Sequence, residues 1–221
     1  MILKQGRITS QHNGKEAFIE KAYGYEFKFE STNDTGTWYG LCTQDLIVDI
    51  DDNPRVFINK NRVFSLPGEH FEARTDRGLP GDLFLIFIEG FVGQEVTGVK
   101  VEWEGRLKYI DGCTDSLLIY APRLGDPCLN HLHFPEGIDQ TFHTHPSIRL
   151  GIVYEGSGKA CFKDGEVELE QGDIFCIEVD ELHRFRTPEG KMNIIAFHPD
   201  SDTGPTDEDH PMLNRTIIPK E

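Results

Sequence analysis

Short runs of Val, Ile, Leu, Phe, Tyr and Thr, separated by Gly, Pro, Asn or Asp, recur along almost the whole of the 221-residue chain. This rhythm constrains the fold more than any other feature, because such runs bounded by turn residues read as strands. Leu46–Ile50, Arg62–Leu66, Leu83–Ile88, Cys128–Phe134, Gln140–His145, Leu150–Tyr154, Ile174–Ile177, His183–Arg186 and Asn193–Phe197 are examples. No window keeps a 3.6-residue period for long, so helix is expected only within the first 25 residues, if anywhere. The class is therefore all-β. Many short strands with turns such as PGE, DRG, EGSG and KDGE point to a barrel or double-sheet sandwich, architectures that leave few open strand edges.

Charge narrows the list of partners. The formal net charge of −16 would repel phosphate backbones and anionic headgroups, so neither nucleic acid nor membrane is expected as a partner. The N-terminal residues lack the apolar run of a signal peptide, which makes the cytoplasm the expected compartment. Five cysteines, Cys42, Cys113, Cys128, Cys161 and Cys176, are odd in number and widely spaced. They read as reduced, buried thiols.

The chemistry is concentrated between Gly137 and His183. His143 and His145 stand two residues apart in a strand-like run, so their imidazoles project from the same face. A third ligand from a neighbouring strand would complete a facial triad with open positions, and His183 is the candidate.

At this point the sequence resembles the cupin superfamily. Gly137, His143, His145 and Gly156 fall on the spacing of that family's first motif, and Gly172 and His183 on that of its second. The departures are Arg149 where the family has a Glu ligand, Glu178 for its Pro and Asp180 for its turn Gly. The resemblance covers roughly residues 115–200 and implies a double-stranded β-helix, or jelly roll. It also implies a divalent transition metal on His143, His145 and His183, with Fe(II) favoured and Zn, Mn, Ni, Co or Cu open. Some thiol dioxygenases and related oxygenases of this superfamily are similar in using three His without the Glu.

Arg149 lies four residues after His145 and is expected in the same cavity, where a guanidinium needs an anionic partner, either a substrate carboxylate or phosphate or a fixed internal carboxylate; the remaining alternative is an Arg149 that turns outward. Val153 by strand parity with Arg149, and Phe185 and Thr187 with His183, are expected to line the substrate pocket. His131 and His133 share a face and would add a fourth ligand or line a partly exposed strand near the barrel mouth. Gln140 is expected on the opposite face. His198, Asp200, Asp202, Asp207 and His210 form an acidic tail, read as a solvated surface segment or a second metal site.

A soft boundary near Arg106 divides the chain into residues 1–105 and 106–221. Phe64–Gly68 followed by Leu83–Gly90 echoes Phe134–Gly137 followed by Gly151–Gly156, which suggests a degenerate first cupin barrel, hence a bicupin with His70 but no His-x-His. The alternative is one enlarged barrel wrapped by N-terminal strands. The expected function is a metal-dependent enzyme, a dioxygenase being one form, acting on a small anionic metabolite. A sensory ligand-binding barrel, a metal-assisted lyase or isomerase, and a structural barrel that self-associates, as in a homodimer, remain as alternatives.

Overall fold

The computed structural model describes residues 1–30, 35–51 and 55–219. In its first half the strands are β1 (Ile2–Leu3), β2 (Gly6–His12), β3 (Lys15–Gly24), β4 (Glu26–Glu30), β5 (Gly36–Cys42), β6 (Leu46–Ile50), β7 (Val56–Ile58), β8 (Arg62–Gly68), β9 (His70–Thr75), β10 (Gly81–Glu89) and β11 (Val96–Lys100). The second half adds β12 (Leu107–Lys108), β13 (Thr114–Ile119), β14 (Cys128–Phe134), β15 (Arg149–Phe162), β16 (Gly165–Glu170), β17 (Ile174–Ile177), β18 (His183–Arg186) and β19 (Met192–His198), then one helical turn, α1 (Pro211–Asn214). No helix among the described residues is long and apolar enough to cross a membrane.

The first 25 residues are strand, not helix. Asn13 and Gly14 take positive φ (52° and 76°) and close a two-residue hairpin that pairs His12 with Lys15, the geometry that Asn-Gly favours. Beyond it, Ala17, Phe18 and Ile19 are all buried. A strand covered on both faces loses the alternation that would have identified it.

A six-stranded sheet, β11-β8-β5-β10-β3-β2, and a four-stranded sheet, β4-β9-β6-β7, enclose the first core. That core is aromatic: Phe18, Phe27, Phe29, Trp38, Phe64, Phe71 and Phe87. In the second half, β17-β15-β19-β14-β13 run in the same order as β8-β5-β10-β3-β2. The far end of β15 turns over to pair with β16 and β18, as β6 pairs with β7 and β9.

The internal correspondence is therefore between strands at the same place in the order. The Pro67-Gly68 and Pro135–Gly137 turns do not correspond, since the first closes β8 and the second follows β14. The equivalent pairs are Gly40 with Phe64 and Gly151 with Phe175. Each glycine lies opposite its Phe across two strands, and the ring covers it so closely that a Cβ would overlap the ring atoms.

The halves pack through the outer faces of their larger sheets. Ile8, Ala17, Ile19, Tyr39 and Leu41 meet Leu129, Leu150, Ile152, Ile195 and Phe197 in one apolar layer, with the Tyr39 and Phe197 rings 5.1 Å apart. One edge strand crosses over: β1, from the start of the chain, pairs with β17 of the second half, while β11 pairs with β8 within the first. The chain passes from one sheet to the other between Lys100 and Leu107.

Candidate metal centre and its cavity

Residues 139–145 form no continuous strand; they touch their neighbour through isolated bridges, Asp139 to Arg186 and His143 to His183. The second bridge is reciprocal, each histidine N–H donating to the other's carbonyl at 2.9 and 3.0 Å. The turn before β18 is tied down as well, because the Asp180 N–H donates to the His145 carbonyl at 2.9 Å. Asp180 has φ of 55°, so it adopts the left-handed backbone for which the related motif uses Gly. Replacing that glycine has kept the turn.

These constraints bring His143, His145 and His183 together, one nitrogen of each lying within 4.8 Å of the others. Ring centroids are 4.6 Å apart for His143 and His183, and 5.1 Å from His145 to each. His143 Nδ1 and His183 Nδ1 are engaged with the carbonyls of Thr141 (2.9 Å) and Glu181 (2.8 Å). A Nδ1–H held by a backbone carbonyl fixes the tautomer that leaves Nε2 a bare lone pair, the form in which imidazole ligates metal. His183 Nε2 is buried and has no hydrogen-bond partner among the described residues, a cost that ligation would remove. Burial first, then the positive charge of Arg149 and the neighbouring imidazoles, hold His145 down to about 3, and burial lowers His183. These two imidazoles stay neutral at physiological pH. A divalent transition ion fits this donor set.

The triad opens into a cavity of about 130 Å³. An engineered apolar cavity of about 150 Å³ accepts benzene, so the ligand here is small. Phe134, Phe175, Ile177, Phe185 and Ile194 supply apolar walls. Arg149 lines the same cavity. Its Nη1 donates to the Ser147 carbonyl (3.1 Å), the Ser147 hydroxyl (2.6 Å) and the Ile148 carbonyl (2.9 Å), while its buried Nε has no partner. Asp200 is one hydroxyl removed, accepting from Ser147 Oγ. Burial lowers the Arg149 pKa; a guanidinium nevertheless stays charged in proteins.

Other expected residues lie elsewhere. Val153 is sealed in the second core and is not part of the cavity wall. Thr187 is buried too, its hydroxyl donating to the Pro135 carbonyl at 2.5 Å. His131 and His133 neither approach the triad nor lie exposed at the mouth: both are buried and share Asn193 Oδ1, at 3.0 and 2.7 Å. Gln140, expected on the far face, lines the cavity, and its Oε1 accepts from the Phe185 N–H at 3.1 Å. Among the described residues no second metal-ligating group forms in the tail. His198 instead ends β19 at the cavity, held down to about 3 by burial and then by Arg149, and Asp207 pairs with Arg123 at 2.9 Å.

The sequence did not single out Tyr109, Asp115 and Asn130, which also line the cavity. Asp115 accepts both contacts of the Asn130 amide, at 2.9 and 3.1 Å, and burial raises its pKa. An Asp inside a strand, where that residue is depleted, was the available signal.

An antiparallel jelly roll with three converging imidazoles at one end of its core is the cupin fold, and the comparisons agree. Residues 132–206 match the AraC-like ligand binding domain family. The "Cupin 2 conserved barrel domain protein" of Leptotrichia buccalis is similar in structure over 89% of this chain and 88% of that one, at a TM-score of 0.56 and 13% identity. AerE of Microcystis aeruginosa aligns over 87% and 96%, with a TM-score of 0.65 and 12% identity. The salicylate 1,2-dioxygenase of Pseudaminobacter salicylatoxidans aligns over 87% and 76%, with a TM-score of 0.58 and 10% identity. Identities this low speak for the fold. No curated protein matches the sequence.

Proposed function

We propose that the chain is a metal-dependent enzyme that binds a small carboxylate at a three-histidine centre, and that its two halves are a bicupin, divided near Arg106, of which only the second keeps ligands. The observation that carries this reading is the meeting, in one small cavity, of three imidazoles with an Arg149 guanidinium that no carboxylate among the described residues contacts directly. His143, His145 and His183 would hold the ion, which when bound supplies Lewis acidity or, as Fe(II), a centre for O2 chemistry. Arg149 would hold the carboxylate in place, and Phe185 with the other apolar walls would exclude water from the organic part. Fe(II) is our preferred metal, ahead of Zn, Mn, Ni, Co and Cu. The structural similarity to salicylate 1,2-dioxygenase, one form of which is described in complex with gentisate, supports an oxygenase on fold-level grounds. The free cysteines suit the cytoplasm.

A second reading is a ligand-binding or sensory barrel without turnover, favoured by the match of residues 132–206 to an AraC-like ligand binding domain. Elemental analysis and oxygen uptake separate the two. The enzyme reading expects near-stoichiometric iron in the protein purified without added metal, and a fall of at least about 100-fold in metal affinity on His183→Ala, since loss of a ligand removes more than the 10–100-fold typical of an outer contact. It also expects oxygen consumption with one of a panel of small acids. Metal and acid binding without consumption under any acid would leave the sensory reading, and no metal after reconstitution would end both.

A further inference from the structure

Arg149 and Asp115 line one cavity yet are not an ion pair. The guanidinium is occupied through Nη1 by Ser147 and Ile148, with Nε unpartnered, and Asp115 receives only the uncharged amide of Asn130 among its side-chain partners. Tyr109 lines the same cavity. Opposite charges held apart in a partly desolvated space each keep unused hydrogen-bonding capacity, and an occupant carrying the complementary pair would satisfy both at once.

We infer that the ligand of this site is a small zwitterion, an amino acid whose carboxylate meets Arg149 and whose ammonium meets Asp115. The inference rests on the carboxylate-binding reading above and adds to it the second pole. Asn130 is a positioning residue: its two contacts fix the Asp115 carboxyl plane and leave each oxygen a further lone pair for an N–H donor. Burial raises the pKa of Asp115, and an ammonium held against it would favour the charged carboxylate. With apolar walls and about 130 Å³ between the poles, the amino acid would be short and uncharged in its side chain.

The test is calorimetric titration of metal-loaded protein at neutral pH with butyrate, 2-, 3- and 4-aminobutyrate and butylamine. One aminobutyrate isomer is expected to bind at least about tenfold more tightly than butyrate, as one charge-assisted hydrogen bond allows, and the preferred isomer reports the separation of the poles. Asp115→Asn should erase that preference while leaving butyrate binding unchanged or stronger. Equal binding of butyrate and all three isomers by the wild type overturns the inference without any variant and leaves carboxylate binding standing, as does an Asp115→Asn loss equal for every acid. If no acid binds at all, the carboxylate reading fails and takes this one with it.

Discussion

Two sandwiches with the same strand order solve opposite problems at the same place. In the first half β9 meets β4 with Phe71 opposite Phe29; in the second, His183 meets His143 across the equivalent gap. On the adjoining sheet, two residues before the ring-covered glycine in each half, the first has Trp38 and the second Arg149. Trp38 is fully buried, its Nε1 donating to the Gly68 carbonyl at 3.0 Å, and it packs on Phe87 with centroids 4.4 Å apart. In the second half the position matching Phe87 holds His198. One half uses these positions to fill its core. The other keeps polar, partly unsatisfied groups there, as functional sites do at the expense of local stability.

The sharpest way to break this comparison is to exchange the roles of Trp38 and Arg149. Trp38→Ala should cost about 3–5 kcal/mol, the usual range for an aromatic truncated in a packed core, with metal stoichiometry unchanged. Arg149→Leu should leave the stability of the metal-free protein unchanged or raise it, since a buried charge without a carboxylate partner gives way to an apolar side chain. Denaturant unfolding measures both. A loss of stability at Arg149→Leu comparable to that at Trp38→Ala would mean that Arg149 is a structural pillar of the second half.

How far this division could be read in advance depends on where each signal lies in the chain. His143, His145 and His183, with Gly137, Gly156 and Gly172, stand at the spacing of the motifs that the sequence resembles, so the triad and the jelly roll around it were legible. Asp115, Asn130 and His198 come from β13, β14 and β19, whose adjacency follows from sheet order and leaves no trace in spacing. His131 and His133 obeyed the expected alternation, but parity cannot say which face of β14 meets the cavity and which meets the other half. The Pro-Gly echo pairs turns at different places in the strand order, because the residues at matching places, Trp38 and Arg149 or Phe29 and His143, have no chemistry in common. Gly40 with Phe64 and Gly151 with Phe175 keep their identities, through a close approach that leaves no room for a Cβ.

Acid should distinguish the halves next. In the metal-free protein His145 and His198 are held near 3 against about 6.5 in an unfolded chain, so between those values the unfolded state binds more protons. Stability from these groups is complete above about pH 6.5 and is lost progressively as pH falls toward 3. His12 and His70 of the first half lie outside its core. Amide exchange on stripped protein at pH 7 and pH 5 should show protection lost first around β14, β15, β18 and β19. Uniform loss across both halves would mean that the shared layer of Tyr39, Leu150 and Phe197 couples them into one cooperative unit.

The smallest effect concerns the turns that present the two opposed pairs. In the first half the turn into β9 is fastened by a side chain, the Asp51 carboxylate accepting from the Glu69 and His70 N–H groups at 3.1 and 3.0 Å. In the second the turn into β18 is fastened by backbone, Asp180 N–H to the His145 carbonyl, at a residue with φ of 55°. Left-handed backbone costs an L-residue roughly 1–2 kcal/mol, less for Asp, and costs Gly almost nothing. Asp180→Gly should therefore raise stability by about 0.5–1 kcal/mol, offset in part by the greater freedom of the unfolded chain, with metal affinity held to within about threefold. A larger drop in affinity at undiminished stability would show that the Asp180 side chain, and not only its backbone N–H, orients His145. The two turns would then be alike in relying on an aspartate carboxylate.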